Sequence, residues 1–252
     1  MTFEVAADSY DRFMGRYSIP LGPVFADFAG VAAGQRVLDV GCGPGALTGE
    51  LVARVGTESV SAADPSEPFV EAVRARYPDI RVEQAPAEEM PFGDDAFDAA
   101  LAQLVVQFMA DPNAGIREMA RVTRPGGTVA ACVWDMAGGR SPLSPFWAAA
   151  RDLDPNQTGE SMLAGVGQGQ LTEFFAGAGL EDVREEAISV SVEHETFEDW
   201  WEPFTLGVGP AGAHAARLDD EARAELRERA REKLPPAPFV MTAQAWAASG
   251  RA

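Results

Sequence analysis

Apolar positions along the chain fall into short continuous runs alternating with helically spaced stripes. The first run, Gln35–Val40 (QRVLDV), reads as a buried strand. It leads straight into the turn sequence Gly41-Cys42-Gly43-Pro44-Gly45. Leu47, Leu51, Val52 and Val55 then recur at helical spacing until Gly56 stops the helix. Ser59–Ala63 reads as a second strand, and Ser66 caps a helix carrying Phe69, Val70, Val73 and Tyr77, closed before Pro78. Ile80–Glu83 is a third strand and Phe97–Val106 a fourth. Asp111 followed by Pro112 opens a helix with Ile116, Met119 and Ala120 on one face. The turn Arg124-Pro125-Gly126-Gly127 ends that helix, and Thr128–Trp134 is a fifth strand. This alternation predicts right-handed parallel βαβ units, hence a doubly wound α/β fold.

The pattern loosens after Trp134. Met136–Gln168 is rich in Gly, Pro and Ser, with a short helix expected at Pro145–Leu153. Leu171, Phe174, Phe175 and Ala178 mark another helix, capped by Gly179. Val183–Glu193 and Phe239–Ala248 read as strands. Between them lie aromatic Phe197–Phe204, a glycine-rich stretch (LGVGPAGAH) read as loop, and a charged helix from Asp219 to Leu234. Two late strands separated by a helical insertion suit an antiparallel pair at one sheet edge.

Composition adds limits. At 46% apolar and 23% charged residues the chain has ordinary globular character. A formal charge of −19 makes DNA, RNA and anionic membranes poor partners. The densest basic stretch, Arg217 to Lys233, is interleaved with Asp219, Asp220, Glu221, Glu225, Glu228 and Glu232. No apolar run approaches the roughly 20 residues that span a bilayer, and the first residues lack the apolar region of a secretory signal. Cys42 and Cys132 stand far apart with no zinc spacing, which points to a reducing, cytoplasmic setting without a metal site.

The chemistry concentrates in Asp39-x-Gly41-x-Gly43-x-Gly45, which follows a strand and opens a helix at the carboxyl end of the sheet. Glycines let the backbone approach a ligand and adopt positive φ. The stretch also satisfies the dinucleotide pattern G-x-G-x-x-A through Gly41, Gly43 and Ala46. Asp39 separates the two readings. A carboxylate two residues ahead of the first glycine repels a pyrophosphate and attracts an ammonium group, as on the methionyl end of S-adenosylmethionine. Asp64, at the end of the second strand, can accept both hydroxyls of a ribose, which fits NAD as well as S-adenosylmethionine, or it is a carboxylate at a helix N-terminus beside Pro65-Ser66.

Taken as a set, VLDVGCGPGALT, SAADPSE, QAPAEEMPFGDDAFDAALA and TRPGGTVAACVW resemble the motifs of class I S-adenosylmethionine-dependent methyltransferases of the small-molecule, type 11-like group. The likeness covers about Tyr10 to Trp134. It implies a Rossmann-like, mostly parallel seven-stranded sheet with one reversed edge strand, plus helical cap segments. It further implies that Asp39, Gly41, Cys42, Gly43 and Gly45 hold the methionyl end, that Asp64 with Pro65 meets the ribose, and that Ala87 and Glu88 face the adenine. Gln103 would approach the amino-acid portion. Pro86 stands where family members often carry an acidic residue, so the adenine amine contact shifts to Glu88, whose alternative is a solvated loop. Tyr10–Tyr17 (YDRFMGRY) is similar to the group's lid helix, with Arg16 or Tyr17 closing over the methionyl carboxylate, or else a plain amphipathic helix covering the sheet. On this reading residues 1–252 form a single domain. It comprises a lid (1–30), a cofactor-binding half (31–135), cap insertions (136–168 and 194–236), and a late helix with the sheet edge (170–193 and 237–252).

The acceptor side is less defined. Methyl transfer is an in-line displacement that gains most from orienting and desolvating the reactants, and no catalytic residue is identified. His194, flanked by Glu193 and Glu195, and His214 are both expected at the surface, with a raised pKa at His194. Trp134, Phe146, Trp147, Trp200, Trp201 and Phe204 are candidates for an apolar acceptor pocket or for core, with only one ring of Trp200-Trp201 expected in a core. A small neutral or apolar acceptor methylated at O, N or C follows. Two alternatives stand beside it: an NAD(P)-dependent oxidoreductase, for which Lys233, the only lysine, leaves no Tyr-x-x-x-Lys pair, and a non-catalytic S-adenosylmethionine-binding protein.

Overall fold

The computed structural model describes residues 7–252, so the first six residues of the expected lid lie outside the described residues. The chain begins with α1 (Ala7–Tyr10), a π-helical turn (Asp11–Gly15) and α2 (Arg16–Ala29). Then come β1 (Val37–Val40), α3 (Ala46–Val55), β2 (Val60–Asp64), α4 (Glu67–Arg76), β3 (Arg81–Gln84), β4 (Phe97–Gln103), α5 (Pro112–Val122) and β5 (Thr123–Trp134). The later half adds α6 (Ser144–Leu153), α7 (Gln170–Gly177), β6 (Glu181–His194), α8 (Phe197–Trp201), α9 (Gly209–Arg217), α10 (Asp220–Glu232) and β7 (Phe239–Arg251).

Seven strands form one sheet in the order β3-β2-β1-β4-β5-β7-β6. The first five are parallel, and β7 runs antiparallel to both β5 and β6. The reversed strand expected at this end is therefore β7, slotted inside β6. Strand β1, β4 from Ala99 and β5 from Gly127 are continuous buried runs, with Leu38, Leu101 and Val129–Val133 fully enclosed, as a parallel sheet covered on both faces requires. The strand order reverses between β1 and β4, the switch point outside whose carboxyl ends open α/β sheets bind ligands.

Three expectations need correction. Strand β4 stops at Gln103 rather than Val106: Leu104 takes a left-handed φ of 64°, its N–H turns to Cys132 O at 2.8 Å, and Val106–Phe108 coils into a 3-10 turn. The glycine-rich stretch holds a helix, α9, because Pro210 in its first turn is preset for helical φ. Gly212 lets α9 approach Gly207, where a Cβ would meet backbone at 2.7 Å. Both rings of Trp200 and Trp201 are buried, since the five-residue α8 has neighbours on more than one side. Trp200 meets Phe204 at 4.8 Å, and Trp201 stacks on Phe146 at 6.2 Å.

The cap has its own aromatic cluster. Phe146 lies parallel to Phe204 with ring centroids 4.6 Å apart and meets Trp147 edge-on at 5.1 Å. Helix α10 packs on α6 through Leu226 and Ala230, and its Arg231 lies over the Phe197 ring at 4.1 Å. Among the described residues, no helix is long and apolar enough to cross a membrane. Phe146 is fully buried at the centre of the cap cluster. Phe146→Ala is expected to lower unfolding free energy by about 3–5 kcal/mol in urea titrations, whereas an unchanged midpoint would remove that cluster from the stability of the fold.

Candidate active site

The glycine turn is built by hydrogen bonds from the neighbouring strand. Gly41 N and Cys42 N donate to Ala63 O at 2.8 and 3.1 Å, and Gly43 N donates to Asp64 Oδ2 at 2.8 Å. Gly41 combines a φ of 69° with a close neighbour: a Cβ there would lie 2.5 Å from the Val105 methyls. The loop thus carries a main chain that a side chain would displace.

Two buried carboxylates flank it. Asp39 is 1% exposed, and Thr48 Oγ1 donates to its Oδ2 at 2.6 Å. Burial raises its pKa to about 7; the Thr48 hydrogen bond opposes the shift and nearby Asp64 adds to it. Asp64 accepts from Ser66 N at 2.8 Å through Oδ1 and from Gly43 N through Oδ2. Burial raises its pKa too, against those two N–H groups. Both oxygens of Asp64 keep a lone pair after these bonds. Asp64 therefore braces the turn before α4 and also lines the cavity.

That cavity measures about 560 Å³, within the range of sites that take cofactor-sized ligands. Gly41, Gly43, Asp64, Pro65, Ala87, Glu88 and Gln103 all line it, as the motifs imply. Glu88 is half-buried and holds Asp111 N at 3.1 Å through Oε1, so it is not a freely solvated loop residue. A recess of about 20 Å³ adjoins, lined by Asp39, Cys42, Ser18 and Gln103 with Gly41 and Gly43. Gln103 Nε2 donates to Ser18 O at 3.0 Å, but Gln103 Oε1 and Ser18 Oγ are buried with no protein partner. Gly45 lines neither space; its φ of 99° serves as the N-terminal hinge of α3.

Arg16 and Tyr17 face elsewhere. Tyr17 Oη lies 2.8 Å from His194 Nε2, and Arg16 Nη1 lies 3.2 Å from His194 Nδ1 while donating to Asp199 O at 2.5 Å. Tyr10 takes the place expected of them and lines all the cavities. Residues seven apart share a face in a regular α-helix, but the π-helical turn Asp11–Gly15 breaks that phase. His194 is 1% exposed, and burial, reinforced by Arg16, lowers its pKa to about 4. The expected surface position and raised pKa are both overturned, because Glu193 and Glu195 point outward from the strand end. His214 is half-buried, 5.5 Å from the Trp147 ring, with its pKa also lowered by burial.

A third space of about 30 Å³ shares Tyr10, Leu104 and Phe108 with the main cavity. Of the six aromatic candidates only Trp134 lines it; Phe146, Trp147, Trp200, Trp201 and Phe204 form the core of the cap. Its lining is apolar except for Gln107 and Glu160, neither singled out by the sequence pattern. Glu160 lies in a Gly- and Ser-rich stretch that reads as solvated. It is buried because Gly159, at φ 58°, passes so close to Trp147 that a Cβ would lie 2.5 Å from the indole. Trp147 Nε1 then donates to Glu160 Oε2 at 2.8 Å.

Residues 38–131 match the family model described as a methyltransferase domain. The chain is 30% identical over 230 residues to a demethylmenaquinone methyltransferase from Clavibacter sepedonicus, covering 85% of this chain and 91% of that protein. In fold it is similar to a putative methyltransferase from Bacillus halodurans, with a TM-score of 0.60 at 16% identity over 91% of this chain and 97% of that one. It is likewise similar to geranyl diphosphate C-methyltransferase from Streptomyces coelicolor, solved with S-adenosyl-L-homocysteine, with a TM-score of 0.53 at 16% identity over 92% and 78% of the two chains. With the glycine turn, its two carboxylates and this kinship together, the chain belongs to the S-adenosylmethionine-dependent methyltransferases.

Proposed function

We propose that the protein methylates a small apolar acceptor bound in the chamber beside Trp134, with S-adenosylmethionine held in the main cavity. The observation that carries this reading is the adjacency of the three spaces, which share Tyr10 in their lining. When bound, S-adenosylmethionine supplies a methyl group on a sulfonium. The residues present fit it. Asp39 and the unpartnered Gln103 Oε1 offer acceptors for an ammonium in the recess, and the unpartnered Ser18 Oγ offers a donor for a carboxylate. The free lone pairs of Asp64 suit vicinal hydroxyls, and Ala87 with Glu88 suits a purine edge. Gly45 supports the turn rather than touching the ligand, and Arg16 and Tyr17 act as structural anchors.

The apolar surfaces of Phe13, Phe108, Trp134 and Met136 favour an acceptor with little charge, and segments 136–168 and 194–236 cover it as a cap. Demethylmenaquinone methyltransferase, whose name specifies a quinone acceptor, supports a ring-shaped acceptor here. The net charge of −19 argues against nucleic acid or an anionic membrane as substrate, and the cytoplasm suits the two unpaired thiols.

Isothermal titration tests the cofactor roles. S-adenosylmethionine binds and NADH does not; binding of NADH alone would defeat the reading. Because Asp39 titrates near 7, a cationic ligand meets its charged form only above that pH. Affinity is expected to rise by about tenfold from pH 6 to pH 8, and this rise disappears in Asp39→Asn. At pH 8 that variant binds about 10- to 100-fold more weakly, the loss of one charge-assisted hydrogen bond. Gly41→Ala, forced against Val105, lowers thermal stability by about 1–3 kcal/mol and abolishes binding, both checked by melts with and without ligand.

A further inference from the structure

The chamber beside Trp134 holds two polar side chains that no cofactor contact accounts for, Glu160 and Gln107. Glu160 is 2% exposed, and its one side-chain hydrogen bond among the described residues comes from Trp147 Nε1 at 2.8 Å. No cation pairs with it, unlike Asp135, which Arg140 holds at 2.6 Å. Gln107 is 7% exposed; its Nε2 donates to Leu104 O at 2.9 Å, and its Oε1 is buried with no partner. The chamber thus offers two hydrogen-bond acceptors in a largely apolar lining; of its side-chain donors, Gln107 Nε2 already serves Leu104 O and Trp134 Nε1 serves Met14 Sδ, leaving the Tyr10 hydroxyl as the third. A ligand that satisfies both must bring a donor of its own.

We infer that Glu160 is the general base of the reaction, taking the proton from an acidic hydroxyl on an aromatic acceptor that Gln107 helps to orient. This inference rests on the function proposed above. The acceptor oxygen gives its proton to the Glu160 carboxylate and keeps the electron pair, which forms the bond to the methyl carbon. The pair of the broken carbon–sulfur bond stays on sulfur, and the proton passes from Glu160 to water as product leaves. A phenol suits both the acceptors and the walls: its ring matches Phe13, Phe108 and Met136, and its hydroxyl is the required donor.

The electrostatic setting is consistent with a base near neutrality. Burial raises the Glu160 pKa to about 7, opposed only by the Trp147 hydrogen bond. Tyr10 is the one other titratable residue in the chamber lining, and burial with Asp64 and Asp11 nearby raises its pKa, so it stays neutral. His214, on α9 against the far side of Trp147, has a lowered pKa and is also neutral at pH 7. Neither charge competes with Glu160. The chamber holds about 30 Å³, so a ring enters only as lining side chains move aside.

The test uses the full chain, labelled S-adenosylmethionine and three probes: 1-naphthol, un-ionised at about pH 8; 4-nitro-1-naphthol, already ionised there; and 1-naphthylamine. Glu160→Gln keeps an acceptor for Trp147, and cofactor titration together with thermal melts verifies that it folds. The expected result is methylation of both naphthols by the native chain. In Glu160→Gln, kcat/KM falls about 10²–10⁴-fold on 1-naphthol but less than tenfold on the ionised probe. A second readout is independent of turnover. The pH titration of tryptophan fluorescence shows a transition near 7 in the native chain that is missing in Glu160→Gln, because Trp147 donates to that carboxyl group. Equal losses on both naphthols, no loss on either, methylation of the amine alone, or the same fluorescence transition in the variant would each overturn the assignment. If S-adenosylmethionine binds yet neither naphthol is methylated, this inference fails alone. If it does not bind, the proposed function fails with it.

Discussion

Four acidic side chains are buried among the described residues: Asp39, Asp64, Asp135 and Glu160. A carboxylate taken out of water costs several kcal/mol unless a cation or a full set of donors compensates it. Asp135 has that compensation from Arg140 at 2.6 Å and from Gly138 N at 2.8 Å. The other three have hydrogen bonds but no cation, and each lines one of the three adjacent spaces: Asp39 the recess, Asp64 the main cavity and Glu160 the chamber. The fold thus keeps three carboxyl groups without a cation around adjoining spaces, and burial raises the pKa of each. That constraint links the strand order, the glycine turn and the cap more directly than any single contact.

The first half of this arrangement was legible because its physics is local. QRVLDV runs into glycines whose positive φ values are needed at Gly41, Gly43 and Gly45, just after Asp39, and Thr48, in the first turn of α3, supplies the bond that orients that carboxylate. Asp64 follows from the next strand in the same way, and Gln103 marks the end of β4. Each of these residues sits at the carboxyl end of a strand whose apolar run identifies it, so the topology alone brings them together. The reversed strand near the sheet edge is likewise visible in the late pair, although which of the two lies inside depends on β7 pairing with β5, far away in sequence, and leaves no local trace.

The errors share a different cause. The Gly-rich stretch around Pro210 was read from its glycines, but in α9 those small residues let a helix approach the chain before it, a tertiary effect that a propensity scale counts as a penalty. His194 was judged by its charged sequence neighbours, while its environment comes from Tyr17 and Arg16, more than 170 residues away in sequence. Tyr10 carries no sequence signal of its own; its place in the cavity lining depends on the π-helical turn that follows it, which shifts the phase of the helix before Arg16 and Tyr17. Glu160 shows the limit most sharply. Nothing in TGESML distinguishes a solvated glutamate from a buried one, and only the approach of Gly159 to Trp147 does so.

Of the two places open to the cap's aromatic residues, acceptor pocket or core, the structure puts Phe146, Trp147, Trp200, Trp201 and Phe204 in the core, and that packing bears on the same electrostatics. A buried, unpaired carboxylate stays where it is only if its surroundings cannot relax to let water in. Phe146, Trp147, Trp201 and Phe204 pack against one another with ring centroids 4.6 to 6.2 Å apart, which fixes the indole that holds Glu160. Trp147 contributes its ring to that cluster and its N–H to the chamber, so the rigidity of the cap and the position of the carboxyl group are one property. On the opposite side the same logic holds for Asp39, fixed by Thr48 from a helix whose Leu47 and Leu51 are fully packed. Charge at the centre and aromatic or aliphatic packing behind it are therefore the repeated design of both ends of the site.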